Sequence, residues 1–234
     1  MMRSDVDGWQ SFAEDIWIAN GPRVRFVVAS LPTRMIVVKL NDGSLWINSP
    51  VAVSGETLNQ IETIGPVRYL VAPTPLHVWR LEQWHKRFPD AQLWGPPKVS
   101  RGSSPIAFTG LLQNVAPAGW AGDLEQLVFK GNLFIEEVEF LHKKSRTLIL
   151  TDFLQNYCGE EGDLAGNIVK KIAGVLNGGV PLDVRLSFTD RKLGREVLAT
   201  LLSWDFDKLI LAHGRCVEHD AKAFVEKAFR WLSR

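Results

Sequence analysis

Cysteine is scarce in this chain: Cys158 and Cys216 are the two in 234 residues. They lie far apart and neither sits in a Cys-x-x-Cys pair, so a disulfide framework is excluded and each reads as a reduced thiol. Charge of one sign is lacking too. The 27 Lys and Arg against 26 Asp and Glu leave +1, which removes the global electrostatic case for nucleic acid or an anionic membrane. No apolar run reaches the ~18 residues of a membrane span, and Met1-Met-Arg-Ser-Asp-Val6 has no signal-peptide apolar region. A soluble, cytoplasmic protein is the expectation. Gly178-Gly179 and Gly119–Gly122 lack the spacing and following lysine of a phosphate loop, and Ser103-Ser104 lacks nucleophile-elbow context. There is no internal repeat and no linker with both composition shift and length, so residues 1–234 are expected to form a single domain.

What is present is enough for a sizeable core, with 46% apolar residues. The nine tryptophans are scattered, as core and rim packing would have them. Alternating patterns predict strands at Asp15–Ala19, Arg25–Ala29, Met35–Lys39 and, after the hairpin signal Asn41-Asp-Gly43, at Leu45–Asn48. Ser54 caps a predicted helix carrying Leu58 and Ile61 up to Gly65-Pro66. The strand Val67–Ala72 follows, then a helix Leu76–Phe88 and a short strand Gln92–Gly95. Residues 95–105 read as a surface connection or as a flap beside a site. Strands are predicted at Leu127–Lys130, Ile135–Leu141, Thr147–Thr151 and Lys208–Ala212. Helices are predicted at Leu164–Leu176, at Asp190–Ser203 with Asp190 as cap, and at Ala221–Leu232; the first two show an apolar face at i, i+3/i+4 spacing.

Three of the apolar runs end in chemistry. Thr147-Leu-Ile-Leu-Thr-Asp152 and Lys208-Leu-Ile-Leu-Ala-His213-Gly214 each stop at a residue able to bind a metal, and Val67-Arg-Tyr-Leu-Val-Ala72 leads through Pro73-Thr-Pro-Leu to His77. A strand end is a rigid place from which to present a ligand. His213 reads as a metal ligand, as a general acid/base, or as a histidine satisfied by backbone at a strand–loop corner. Asp152 reads as a ligand or as a cap on Phe153-Leu-Gln-Asn156. His77 reads as a ligand or as the polar first-turn residue of the helix that follows. Two His and one carboxylate with an open position are a known zinc set, and the same set suits ferrous iron. Metal-bound water ionises near neutral pH and becomes a nucleophile.

The spacing of these segments resembles the metallo-β-lactamase fold superfamily, whose members carry a His-x-His-x-Asp-His loop, a Gly-His turn, a strand ending in Asp and a late Gly-His-Gly. The late motif corresponds to Leu211-Ala212-His213-Gly214, the Asp strand to Leu148–Asp152, and the Gly-His turn to Gly131-Asn132, followed by the strand Glu136–Leu141. The first loop falls on Pro73-Thr-Pro-Leu-His77-Val78. The resemblance runs from Ile16 to Leu232 and looks closest to an uncharacterised, motif-poor branch. It implies a four-layer αββα sandwich, where layer rules alone equally permit a mixed α/β sheet covered on both faces.

The departures bear on function. Pro73 and Pro75 offer a metal nothing, Val78 stands in for a histidine and Asn132 for another, so a two-metal centre is not expected. At most one zinc or iron ion remains, on His77, Asp152 and His213, with Asn132, Glu136 and Glu137 as weaker candidates. One of Glu136 and Glu137 must face inward on an alternating strand, as a ligand, a base, or the partner of Arg146. His142 reads as a surface histidine, and Lys143, Lys144 and Arg146 as a solvated hairpin tip. The resemblance thus implies a metallo-hydrolase of unknown small-molecule substrate, with Asp152 and His213 carrying the chemistry. The alternative is a metal-free pseudo-enzyme or binding module that kept the fold. A homodimer is the one partner expected, with no nucleic acid and no membrane.

Overall fold

The N-terminal alternation folds into a long hairpin. The computed structural model describes residues 8–26, 29–96, 106–159 and 164–233. In it β1 (Gln10–Ala13), β2 (Ile16–Phe26) and β3 (Ala29–Lys39) pair antiparallel. The strand expected at Asp15–Ala19 and the start of the one expected at Arg25–Ala29 are a single strand, because Gly21-Pro22 between them is absorbed as an irregularity of the ladder, and Ala29 already opens β3. Residues 27 and 28 of the second expected strand lie outside the described residues. The turn at Asn41-Asp-Gly43 forms as predicted. Asp42 accepts from the Ser44 amide at 2.9 Å and from its hydroxyl at 2.6 Å, and Gly43 adopts a φ of +84°.

From there β4 (Leu45–Asn48) begins a run of parallel pairings with β5 (Val67–Val71), β6 (Gln92–Gly95) and β7 (Gly110–Leu111). The crossovers between β4, β5 and β6 are α1 (Gly55–Ile64), capped by Ser54 Oγ accepting from Thr57 N at 3.2 Å, and α2 (Leu81–Arg87). The seven strands lie in chain order, β1 to β7. Trp120 is the hub of one aromatic cluster here, edge-on to Tyr69 at 4.9 Å, Trp94 at 5.0 Å and Trp46 at 6.5 Å.

Two compact units divide the chain: Met1–Leu112 with Pro117–Asp123, which holds this sheet, and Gln113–Ala116 with Leu124–Arg234. In the second unit β8 (Leu124–Phe129), β9 (Glu137–His142) and β10 (Thr147–Leu150) are antiparallel neighbours, and β11 (Lys208–Leu211) adds to β10 in parallel, giving the order β11-β10-β9-β8. Its helices are α3 (Leu164–Ile172), α4 (Leu182–Leu186), α5 (Arg191–Ser203) and α6 (Ala221–Ala228). Asp190 caps α5 as predicted, accepting from Leu193 N at 2.9 Å. Phe129 centres the core of this unit, with Phe153 and Phe229 rings each at 5.4 Å.

Several expectations need correction. The helix expected from Leu76 is a 3-10 turn, Pro75–His77, separated from α2 by a turn through Val78–Arg80, since Thr74 and Pro75 close the first turn locally. The helix from Leu164 ends at Ile172 because Gly174 takes a φ of +76°, not at Gly178. The last helix ends at Ala228, followed by turns. Residues 97–105 of the suggested flap lie outside the described residues. Among the described residues no helix is long and apolar enough to cross a membrane, and neither Cys158 nor Cys216 is in a disulfide.

Candidate metal centre

Register builds the first half of the centre. Strands β10 and β11 pair from Thr147↔Lys208 to Leu150↔Leu211, and the same offset carried beyond the strands brings Asp152 level with His213, 61 positions later. The side chains meet: His213 Nε2 lies 3.3 Å from Asp152 Oδ1, both residues being buried. The loops that follow them are laced together. Arg215 N donates to Asn156 O at 2.7 Å, and Asn156 Nδ2 donates back to Arg215 O at 3.0 Å. Gly214 makes this possible. Its φ is +93°, and a Cβ there would overlap the Asn156 carbonyl.

Beneath Asp152 lies Glu137, the first residue of β9 and fully buried. Its carboxylate accepts from three consecutive backbone amides: Thr151 N, Asp152 N at 2.8 Å and Phe153 N at 2.7 Å. This buried carboxyl group satisfies three donors that no ladder reaches. Burial first, and then the Asp152 carboxylate, push its pKa up, while the amides of Thr151 and Phe153 pull it back down. The pairing with Arg146 expected from the sequence does not form. Arg146 binds Asp205 at 2.6 Å on the surface, and Glu137 fastens the loop that carries Asp152. Glu136 stands just before the strand and is half-buried. Glu139, two residues on and therefore on the same side of β9, is also fully buried. Burial and then the Glu137 charge raise its pKa well above its ordinary value.

Asn132 is used up. Its Oδ1 accepts from Phe134 N at 2.9 Å and Ile135 N at 3.1 Å, while Nδ2 donates to Val184 O at 3.0 Å and Ser187 Oγ at 2.7 Å. The residue set where the resembled family has a histidine thus pins its loop to α4, and its amide has no capacity left for an ion. His142 is also not the surface residue expected: it is buried, with Nδ1 2.7 Å from Ser145 Oγ.

His77 belongs to the other unit. Strand β5 ends at Val71, and the chain then turns through the buried Thr74, whose Oγ1 accepts from Leu76 N at 3.2 Å and whose carbonyl accepts from His77 N at 3.1 Å. Pro75 starts the turn with its φ already fixed. His77 is buried at its end. Sequence reasoning missed Glu139 and Asn156. The signal for Glu139 was available, since Glu137-Val-Glu139 sets two acids on one side of a strand that is otherwise apolar.

Residues 14–162 match the model of a family described as a domain of unknown function, DUF4336. No match is found among curated proteins. Solved structures of similar fold include a metallo-beta-lactamase from Pontibacter korlensis, at 13% identity over 97% of this chain and 98% of that one, with a TM-score of 0.64. A metallo-beta-lactamase from Erythrobacter litoralis in a mono-zinc form is 12% identical over 100% and 99%, with a TM-score of 0.59. The metal-soaked Flv1 flavodiiron core from Synechocystis sp. PCC6803 is 11% identical over 96% of this chain and 60% of that one, with a TM-score of 0.66. Likeness at such identities establishes the fold: the metallo-β-lactamase-like α/β fold expected from the sequence.

Proposed function

Because the chain belongs to the DUF4336 family and carries the metallo-β-lactamase fold, we propose that it is a metallo-hydrolase-like protein with one metal site, built on Asp152 and His213. Both are buried. The observation that carries the reading is the separation of Asp152 Oδ1 from His213 Nε2, 3.3 Å. A charge-assisted hydrogen bond between such groups is shorter, about 2.7–2.9 Å. Two ligands each about 2.05 Å from a tetrahedral ion stand roughly 3.3–3.4 Å apart. The pair therefore fits an ion better than it fits a hydrogen bond.

His77, the third donor expected from the sequence, is buried in the first unit. Asp152 would bring one negative charge and a neutral imidazole none, so a divalent ion held here would keep a net positive charge toward substrate. When bound, zinc or iron supplies Lewis acidity that polarises an oxygen or lowers the pKa of water. Glu137 holds the Asp152 backbone, and the Asn156–Arg215 exchange fixes the turn of His213, as the partners of metal ligands commonly do. The mono-zinc form of the similar Erythrobacter litoralis protein is the state this reading assigns to the present chain.

A metal-free binding module is the second reading, favoured by the engaged amide of Asn132 where the resemblance calls for a ligand. Elemental analysis of protein purified without chelator separates the two, together with ester and lactam hydrolysis before and after chelation. One equivalent of transition metal, lost in Asp152→Ala and His213→Ala, is the expected result. No metal, and none taken up from added zinc, would leave the binding module. Two equivalents held by side chains would overturn the single site.

A further inference from the structure

Exposed apolar side chains are concentrated in the second unit, around α3 and α4. An amphipathic helix ordinarily turns its apolar stripe to the core. In α3 it does not. Ile168, Val169 and Ile172, at i, i+1 and i+4, are 49%, 55% and 68% exposed, and none of residues 166–172 is buried. In α4 only Val184 faces inward, while Leu182 and Leu186 on either side are exposed. Leu133 and Phe134 complete the patch, Phe134 at 76% exposure. Backbone contacts make these three segments one surface. Leu182 N donates to Ala173 O at 2.9 Å, joining α3 to α4, and Leu133 N donates to Ser187 O at 2.9 Å, joining the loop to α4. Asn132 bolts the same loop down.

We propose that this surface is the contact of a homodimer, covered in solution by a second copy of the same chain across a two-fold axis. Three observations select that occupant. The exposed apolar area is on the order of 700 Å², beyond the patch of an ordinary monomer and close to the ~800 Å² each partner buries in a stable complex. Charge at its edge is self-complementary. Lys171 on α3 and Asp183 on α4 are both exposed, and an isologous contact sets each against the other's counterpart, twice. The chain as a whole carries only +1, so two copies meet without repulsion.

A lipid surface fits less well, because it is held by an excess of free cations. The other cations here are turned to backbone carbonyls: Arg185 Nε donates to Val180 O at 2.7 Å, and Lys170 Nζ donates to Cys158 O at 3.5 Å.

Sedimentation equilibrium of the full chain across a wide concentration range tests the proposal. The expected mass is twice the 26.3 kDa of the chain. Ile172→Glu with Leu186→Glu should give a monomer with unchanged circular dichroism. Lys171→Glu should weaken the dimer at least about tenfold by setting like charges together. Adding Asp183→Lys should restore it, since the reversed pair is complementary again under two-fold symmetry. These last two changes lie at exposed positions, so their reading does not depend on whether the apolar variant folds. A wild-type chain monomeric at every concentration, a dimer indifferent to these variants, or a monomer that binds phosphatidylserine vesicles would each overturn the proposal.

Discussion

Removing the Glu137 carboxylate tests whether one buried acid holds the loop of Asp152. In Glu137→Ala, three buried amides lose their acceptor. An unsatisfied buried donor costs about 1–3 kcal/mol, so the gross loss is on the order of 3–9 kcal/mol. Against it stands the cost of burying the acid itself, which its raised pKa records. The net expectation is about 3–5 kcal/mol, as for breaking a buried charge from its partners. That is a large share of the ~5–15 kcal/mol that holds a domain together. Glu137→Gln should cost less. An amide oxygen in the place of Oε2 keeps the bonds to Asp152 and Phe153, and the amide NH2 then faces the Thr151 donor, a loss of about 1–3 kcal/mol. Urea denaturation followed by tryptophan emission measures both, and metal affinity gives a second readout that should fall ~10–100-fold with the loosened loop. If Glu137→Ala unfolded at the wild-type midpoint with an unchanged m-value, the acid would not be the fastener described.

Glu139→Gln should stabilise the protein increasingly as pH rises. The raised folded-state pKa costs nothing below the unfolded value near 4.3, where both states hold the proton. Above it the unfolded chain alone ionises, costing the wild type about 1.4 kcal/mol per pH unit until the folded acid titrates too. Parallel urea midpoints for variant and wild type from acid to mildly alkaline pH would refute this. Asn132→Ala should cost about 2–4 kcal/mol, because two backbone donors and two acceptors lose one shared partner; a thermal scan showing no shift would contradict it.

Strands buried on both faces were the most legible part of the sequence. Leu45–Ile47, Tyr69–Val71 and Leu209–Leu211 read as apolar runs because every residue in them is buried. Caps were legible where a side chain acts on its own helix, at Ser54 and Asp190. Long-range polar contacts were not. Glu137 is 14 to 16 residues from the amides it holds, and Asn132 is 52 from Val184; nothing local marks either pairing. The α3 stripe misled in a different way. Its periodicity is that of a core-facing helix, and periodicity records only that a side is apolar, not what covers it. His142 was misjudged because its polar neighbours in sequence are the turn, whereas its own side chain points back into the sheet.

The level placement of Asp152 and His213 has a consequence for how this chain can change over generations. Their alignment is set by four rungs of the ladder between β10 and β11 and by the fastened loop ends just beyond them. Loop-closure cost grows only slowly with length, so insertions and deletions in the turns joining α3, α4 and α5 leave the two residues abreast. A one-residue insertion or deletion inside either strand would instead throw them out of step and turn one of them to the opposite face. Changes of length are therefore cheap in the turns between those helices and costly within those few rungs.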